Sequence, residues 1–325
     1  MRSAKIRGAQ TTDRQQRTIG SLALATGLLA LATALPVLAA GSAAADTEPS
    51  YSYPGGLAAQ FTSPGLPPPG ANDWECKPDA AHPNPVVLLH GLSNDAISWN
   101  TLSPVLVRAG YCVFTTTYGV GAAGPLIGAF APVEDSAGQI SAFIDRVRAA
   151  TGSEKVDLVG HSIGGAVAFY YLNQLGGVPK VDHFVALAAP LHGSTVSGLA
   201  SLQPLAAATE AGRDLLRQCG PCGLSPGEPF LRTLDPDPAK APNILFTTVV
   251  TRYDEISTPY TTGLLDGPNV RNVVLQDLCA TDFTEHYELP YDPVAVRVVL
   301  NALDPEHAVP VGCTVVLPFV GPVGG

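Results

Sequence analysis

Short apolar runs alternate with helix-like stretches along the middle of the chain. The apolar runs predict strands at residues 86–89, 112–115, 156–159, 184–187, 244–250 and 273–275. Apolar residues at helical spacing predict helices at residues 98–109, around 140–147, at 164–175 and around 294–303. This alternation predicts an α/β fold, in which a mostly parallel sheet carries helices on both faces.

Two stretches interrupt the alternation. Residues 46–75 are rich in Pro, Gly and Ser, which predicts an irregular N-terminal arm. Residues 194–232 have little strand character and follow the carboxyl end of strand 184–187, where open parallel sheets bind ligands. A long insertion of this kind is usually functional, so we expect a substrate-binding cap. Its leucines would then hold a fatty acyl chain (Leu199, Leu202 and Leu205), although a scaffold of packed helices is the alternative.

The first 45 residues have the organisation of a secretory signal peptide. Five basic residues precede residues 19–40, which carry no charge, and three alanines at 43–45 follow. Because the apolar run is long enough to span a bilayer, a retained membrane anchor is the alternative. We expect cleavage near residue 45 and a single hydrolase domain at 46–325.

The charge balance argues against several classes of partner. The chain has a net charge of −10, and loss of residues 1–45 removes five of 18 basic and one of 28 acidic residues, leaving −14. An acidic protein of this kind is not expected to bind nucleic acid or anionic membranes. No later apolar run is long enough to cross a membrane. We therefore expect a secreted, extracellular monomer without an integral membrane segment.

The strongest chemical motif is Gly160-His161-Ser162-Ile163-Gly164, which lies between a predicted strand and a predicted helix. In that context a Gly-x-Ser-x-Gly motif predicts a sharp turn that exposes a nucleophilic serine. The Ile163 backbone N–H would point to the same place and stabilise negative charge. An ordinary glycine-rich turn is the alternative reading.

A serine nucleophile needs a base and an acid, which in this fold follow it in the order acid, then histidine. Asp254 follows strand 244–250, with Glu255 and Asp266 as possible substitutes. His286 follows strand 273–275, whereas His307 lies in a polar segment and is expected on the surface. The backbone N–H of Leu92, after the strand ending in His90-Gly91, is expected to complete the oxyanion hole.

All six cysteines lie beyond the predicted signal peptide, and an even number in a secreted chain predicts disulfides. About fifteen pairings are possible, and the sequence alone does not choose among them. We expect Cys76–Cys112, between neighbouring strands, and Cys279–Cys313, which would tie the His286 loop to the C-terminal region. Cys219-Gly220-Pro221-Cys222 matches a thioredoxin-like redox motif, but lacks a preceding strand, so a structural disulfide within this loop is favoured.

Several motifs in order resemble the class 2 family of secreted bacterial lipases, particularly those of actinobacteria. The resemblance covers roughly residues 70–305 and rests on six segments: 72–78, 85–91, 110–114, 160–165, 251–255 and 285–286. It implies triacylglycerol lipase or carboxylesterase activity on lipid esters at a lipid–water interface, no organic cofactor, and the same Ser162, Asp254 and His286 triad. No calcium-loop spacing is evident, so the sequence assigns no metal ligands and leaves a structural metal open. A polyester hydrolase or an acyltransferase would share this triad, whereas a non-catalytic binding protein would be expected to lack one of its members.

Overall fold

Six parallel strands form one sheet in the order β2-β1-β3-β4-β5-β6. A computed structural model describes residues 48–121 and 127–323 of the chain, so the predicted signal peptide lies outside the described residues. The α/β fold predicted from the sequence is confirmed, and β3 lies in the middle of the sheet between β1 and β4. The strands are β1 Val86–Leu89, β2 Val113–Thr115, β3 Val156–His161, β4 Val181–Leu187, β5 Leu245–Val250 and β6 Val270–Val274.

Two strands begin earlier than their apolar residues suggest. The first residues of β4 include the polar Asp182 and His183, and those of β6 include the polar Arg271 and Asn272. Because β6 is an edge strand, its polar residues reach solvent while Val273 is buried. Backbone pairing with β5 continues over the whole of β6, so hydrophobicity alone underestimates its length.

Helices cover both faces of the sheet and bury two apolar layers. On one face, α3 buries residues at helical spacing, including Ile140, Ile144 and Val147, and packs beside α4. On the other face, α2 and α9 pack against the same strands. The helices outside the N-terminal segment and the insertion are α2 Leu102–Arg108, α3 Val133–Thr151, α4 Ile163–Gln174, α8 Leu275–Leu278 and α9 Pro293–Leu303.

The expectation of an irregular arm at residues 46–75 is wrong over ten residues, because α1 spans Tyr53–Thr62. Its Ser52 side chain accepts a hydrogen bond from the Gly55 N–H, and a proline lies in the first turn, where its missing N–H costs nothing. Gly56 packs directly beneath the Tyr291 ring, where a Cβ would collide with that ring. The residue types that predict a loop therefore have other roles here. The proline lies in the first turn of the helix, and Gly56 allows the helix to pack closely against Tyr291.

The insertion at residues 194–232 is helical and divides into two parts. Its α5 and the 3-10 helix before it bury no residue. By contrast, α7 packs on α4, where the Phe230 and Tyr170 rings stack with centroids 5.8 Å apart. The helical elements are a 3-10 helix Leu199–Leu202, α5 Gln203–Ala207, α6 Glu210–Gln218, a 3-10 helix Gly220–Leu224 and α7 Pro229–Leu234.

The C-terminal region forms a small antiparallel sheet from β7 Val315–Leu317 and β8 Gly321–Val323. Disulfides join the same pairs that were expected from the sequence: Cys76–Cys112, Cys219–Cys222 and Cys279–Cys313. Within the part of the chain that is described, no helix is both long and apolar enough to cross a bilayer.

Candidate active site

Ser162 lies at the turn between β3 and α4, at the carboxyl edge of the sheet. Its backbone has φ 54° and ψ −127°, a conformation that is unusual for a residue with a side chain. The Ser162 N–H donates to the Leu187 carbonyl at 2.8 Å, so the end of β4 holds the turn. Strain of this kind persists only where surrounding contacts enforce it, and it is frequent at functional sites.

The two glycines of the motif allow this turn to pack tightly. A Cβ at Gly164 would collide with the Leu89 carbonyl oxygen at the end of β1. A Cβ at Gly160 would lie 2.8 Å from the backbone of Gly164. Any larger residue at either position would push α4 away from the sheet and displace Ser162.

The structure brings Ser162, His286 and Asp254 together from three separate loops. His286 Nε2 lies 2.8 Å from Ser162 Oγ, and His286 Nδ1 lies 3.0 Å from both carboxylate oxygens of Asp254. All three residues are buried. Since Asp254 holds Nδ1 as the donor, Nε2 is left as the acceptor that faces the serine hydroxyl.

Asp254 is held in place by its own loop, which follows β5. Its Oδ1 accepts hydrogen bonds from the backbone N–H groups of Ile256 at 2.9 Å and Ser257 at 2.6 Å. The Ser257 hydroxyl in turn donates to the Ala188 carbonyl at 2.7 Å, just after β4. The carboxylate is therefore oriented by the backbone, as an aspartate that fixes a histidine requires.

The alternatives weighed from the sequence lie elsewhere. Asp266 is exposed, and Glu255 contacts the His286 backbone N–H at 3.3 Å instead of its ring. The His307 side chain is 80% exposed. None of these three residues contacts Ser162 through a hydrogen bond in the described structure.

His161 is a supporting residue that the sequence analysis missed. Its Nε2 lies 2.9 Å from the His286 carbonyl oxygen, and burial lowers the pKa of His161 to about 3. The ring is therefore neutral and donates from Nε2 to that carbonyl. It thereby ties the His286 backbone to the end of β3. In the sequence it occupies only the variable position of the serine motif.

A cavity of about 190 Å³ opens over Ser162 and is lined mainly by apolar groups. Leu92 and Ile163 line it, and their own backbone N–H groups are the ones expected to form an oxyanion hole. The wall contributed by the insertion consists of Ser194, Val196, Pro221 and Leu224.

The three leucines expected to hold an acyl chain do not line this cavity. Leu199, Leu202 and Leu205 are instead 64%, 59% and 75% exposed. The short helices that carry them bury no residue, so their apolar side chains face solvent. The expectation was therefore wrong about which residues of the insertion face Ser162.

A second apolar cavity, of about 400 Å³, lies beside α1. Leu57 and Phe61 of the helix line it, together with Ile127. Tyr287, next to His286 in sequence, lines both this cavity and the one over Ser162. The N-terminal helix thus belongs to the surroundings of the candidate active site.

One group of possible metal ligands lies at the opposite edge of the sheet. Donor atoms of Asp157, Asp182 and His183 lie within 4.8 Å of one another. However, Lys155 Nζ lies 2.5 Å from Asp182, and His183 Nδ1 lies 3.0 Å from Asp157. A cation would have to displace these partners. This group also lies at the amino ends of β3 and β4, far along both strands from Ser162.

Comparison with known proteins identifies the fold. Residues 84–265 match the family described as the alpha/beta hydrolase fold, which is more than half of the chain. The chain belongs to the alpha/beta hydrolase family. Its serine–histidine–aspartate arrangement follows the chain order typical of that fold.

Solved structures of low sequence identity share the architecture. Aspergillus fumigatus lipase B aligns with a TM-score of 0.53 at 18% identity, covering 76% of this chain and 56% of that protein. A Bacillus licheniformis lipase in its mature form aligns with a TM-score of 0.49 at 18% identity, covering 70% and 94%. A thermophilic esterase from Thermogutta terrifontis aligns at 0.43 and 16% identity, covering 69% and 90%. At such identities the likeness shows the fold alone, and this chain spans little more than half the length of the Aspergillus protein.

Proposed function

We propose that this chain is a secreted carboxylic ester hydrolase, most closely a triacylglycerol lipase or carboxylesterase, in which Ser162 is the nucleophile. His286 is the general base and Asp254 orients the imidazole. The observation that carries the proposal is the unbroken contact from Ser162 Oγ through His286 to Asp254, at 2.8 and 3.0 Å. Membership of the alpha/beta hydrolase family and the resemblance of the sequence motifs to class 2 secreted lipases support the same conclusion.

The reaction would proceed through an acyl-enzyme. His286 Nε2 takes the Ser162 proton while Oγ attacks the ester carbonyl, and the tetrahedral oxyanion accepts hydrogen bonds from the Leu92 and Ile163 N–H groups. Collapse breaks the ester bond, and the alcohol leaves with the proton from His286. Water then attacks the acyl-serine by the same route and releases the carboxylic acid.

Two features support a lipid ester as the substrate. The cavity over Ser162 is bounded by Val196, Leu224 and Ile256, which suits an acyl chain. Exposed apolar residues also occur on the insertion and on α1, where Phe61 is 77% exposed. Clusters of exposed apolar side chains often mark a surface that contacts a partner, here the lipid–water interface.

The proposed extracellular location rests on the N-terminal residues that precede the hydrolase domain and on the disulfides within it. The predicted signal peptide at residues 1–45 and the three disulfides support export to an oxidising compartment. We propose that the mature enzyme starts near residue 46 and acts as an extracellular monomer. Mass spectrometry of the exported protein and light scattering test these two points directly.

The decisive experiment measures hydrolysis of p-nitrophenyl acetate, butyrate and octanoate, with emulsified triolein alongside and Ser162→Ala as the blank. We expect octanoate to give a higher kcat/KM than acetate, because each buried methylene contributes about 0.8 kcal/mol. Product analysis with added alcohol separates hydrolysis from acyl transfer. Absence of ester cleavage by the wild-type protein on every substrate would refute the proposal.

Two variants separate the cavity from the exposed surface. Val196→Phe narrows the cavity and should reduce octanoate turnover while sparing acetate. Leu205→Ser alters only an exposed position and should reduce activity on emulsified triolein while sparing both soluble esters. Equal losses on all substrates for either variant would contradict the role given to that region.

A further inference from the structure

Two glutamates, the half-buried Glu255 and the buried Glu285, lie beside the candidate base without taking part in its contact with Ser162. Glu255 directly follows Asp254, and Glu285 directly precedes His286. Glu255 Oε2 accepts a hydrogen bond from the His286 N–H at 3.3 Å, and Glu285 Oε2 accepts one from the Tyr287 N–H at 2.6 Å. The two carboxyl groups therefore hold the backbone on both sides of the histidine.

The two carboxyl groups also lie near each other. Their side chains are within hydrogen-bonding reach, yet Glu255 Oε1 and Glu285 Oε1 are both buried with no protein donor. Two carboxylates in contact repel, whereas one proton between them satisfies both oxygens. Two neighbouring carboxyl groups whose buried oxygens lack another donor fit an acid pair that shares one proton.

The surroundings favour retention of this proton. Burial and, to a smaller extent, the acidic neighbours Glu255 and Glu288 together raise the pKa of Glu285 to about 8, although the Tyr287 N–H lowers it. Glu288 lies on the same loop, and burial raises its own pKa to about 7. The other titratable groups that face the pair are Tyr287, Asp254 and His286 beside it and Tyr53 on α1, whose pKa burial raises to about 12.

We propose that Glu255 and Glu285 are positioning residues that hold His286 in register by sharing one proton, so that the active site loosens when this proton is lost. This inference rests on the proposed function for its catalytic consequence. When Glu285 loses its proton, repulsion between the two carboxyl groups pushes apart the acceptors that bind the His286 and Tyr287 N–H groups. The base then moves relative to Ser162, and even a small displacement of a catalytic group is costly.

The first test is the pH profile of kcat and KM on soluble p-nitrophenyl butyrate for the whole chain. For the wild type we expect about a tenfold fall in kcat between pH 7 and pH 9.5 with little change in KM, because a misplaced base slows the chemical step. Glu285→Gln keeps an acceptor for Tyr287 and gains a permanent donor toward Glu255. It should therefore keep its activity at pH 7 and lose the alkaline fall.

Three further variants make this test specific. Glu255→Gln replaces the other carboxyl group of the pair with an amide and should likewise remove the fall in kcat at alkaline pH. Glu288→Gln removes a buried acid that does not hold His286, and Glu306→Gln removes an exposed one. Both should retain the wild-type alkaline fall. An unchanged fall in Glu285→Gln and Glu255→Gln, or its loss in Glu288→Gln, would overturn the proposal.

The second test does not depend on ester hydrolysis. Because the folded-state pKa of Glu285 lies above its ordinary value of 4.5, its contribution to stability is fully present below that value and is lost as the pH rises to about 8. The melting temperature of Glu285→Gln should therefore rise relative to the wild type as the pH increases through this window. A constant difference refutes the shared proton, whether or not the chain hydrolyses esters.

Discussion

Two regions of this protein contain nearly the same histidine–aspartate pair. His286 Nδ1 lies 3.0 Å from both oxygens of Asp254, and His307 Nδ1 lies 2.9 and 3.0 Å from those of Asp304. The difference lies in their surroundings, because the His286 side chain is 2% exposed and that of His307 is 80% exposed. Only His286 also has a serine hydroxyl at Nε2. A histidine–aspartate contact therefore does not by itself define a site.

A third pair shows the same point at the other end of the sheet. His183 Nδ1 lies 3.0 Å from Asp157, and both residues are largely shielded from solvent. Burial lowers the pKa of His183, but its hydrogen bond to Asp157 and the nearby carboxylates outweigh burial and raise it. This pair joins the starts of β3 and β4, and among the described residues no serine forms a hydrogen bond with His183. Burial and the third group together distinguish the proposed catalytic pair.

The largest expected effect comes from removing the third group. Ser162→Ala should reduce kcat on p-nitrophenyl butyrate by about 10⁵- to 10⁶-fold, because the nucleophile itself is lost while the fold remains. Circular dichroism checks the fold, and Ser201→Ala on the exposed part of the insertion is the control. If Ser162→Ala kept a tenth of the wild-type rate, Ser162 would not be the nucleophile.

Replacing each of the two histidines with alanine, in separate variants, tests the comparison directly. His286→Ala should be about as damaging as loss of Ser162, because members of a triad act as a unit. His307→Ala should remain within about twofold of the wild type, since surface substitutions rarely matter. The measurement is kcat/KM for both variants under the same conditions. An inactive His307→Ala beside an active His286→Ala would reverse the assignment of the base.

The two aspartates should differ by a smaller factor. Asp254→Asn keeps the size of the side chain but favours the wrong tautomer of His286, so we expect a loss of about 10⁴-fold in kcat. Asp304→Asn makes the same change at the exposed pair and should have no measurable effect on kcat. Equal activity of the two variants would mean that Asp254 does not orient the base.

The smallest effect concerns the pH dependence of the exposed pair. The Asp304 hydrogen bond raises the pKa of His307 above its ordinary value of 6.5. Any stabilisation is thus present below pH 6.5 and is lost as the pH rises through the folded-state pKa. Because solvent screens this exposed pair, we expect the melting temperatures of the wild type and His307→Gln to agree at both pH 5.5 and pH 8.5. A melting temperature that is clearly higher for the wild type than for His307→Gln at pH 5.5 would show that an exposed pair does stabilise the fold.

The sequence was sufficient for features that depend on local pattern and chain order. Apolar runs predicted all six strands of the main sheet, because strands buried on both faces leave a continuous hydrophobic signal. The glycines around Ser162 predicted its tight turn, and the order of the loops indicated Asp254 and His286. The positions of the cysteines beside strands and the final helix favoured the disulfide pairs that the structure contains, although the sequence alone did not choose among about fifteen pairings. The signal peptide stays a prediction.

Tertiary packing decided what local pattern could not. The helix at Tyr53–Thr62 is hidden in the sequence by Pro and Gly, because its reason is the contact of Gly56 with Tyr291, which is remote in the chain. Likewise, no pattern distinguishes Val196 and Leu224, which face the cavity, from the exposed Leu199. The pairing of Glu255 with Glu285 is also invisible in sequence, since 30 residues separate them and burial alone makes their contact consequential. Side-chain direction and desolvation depend on the assembled fold, which is why the surroundings of His286 could not be derived from the order of residues.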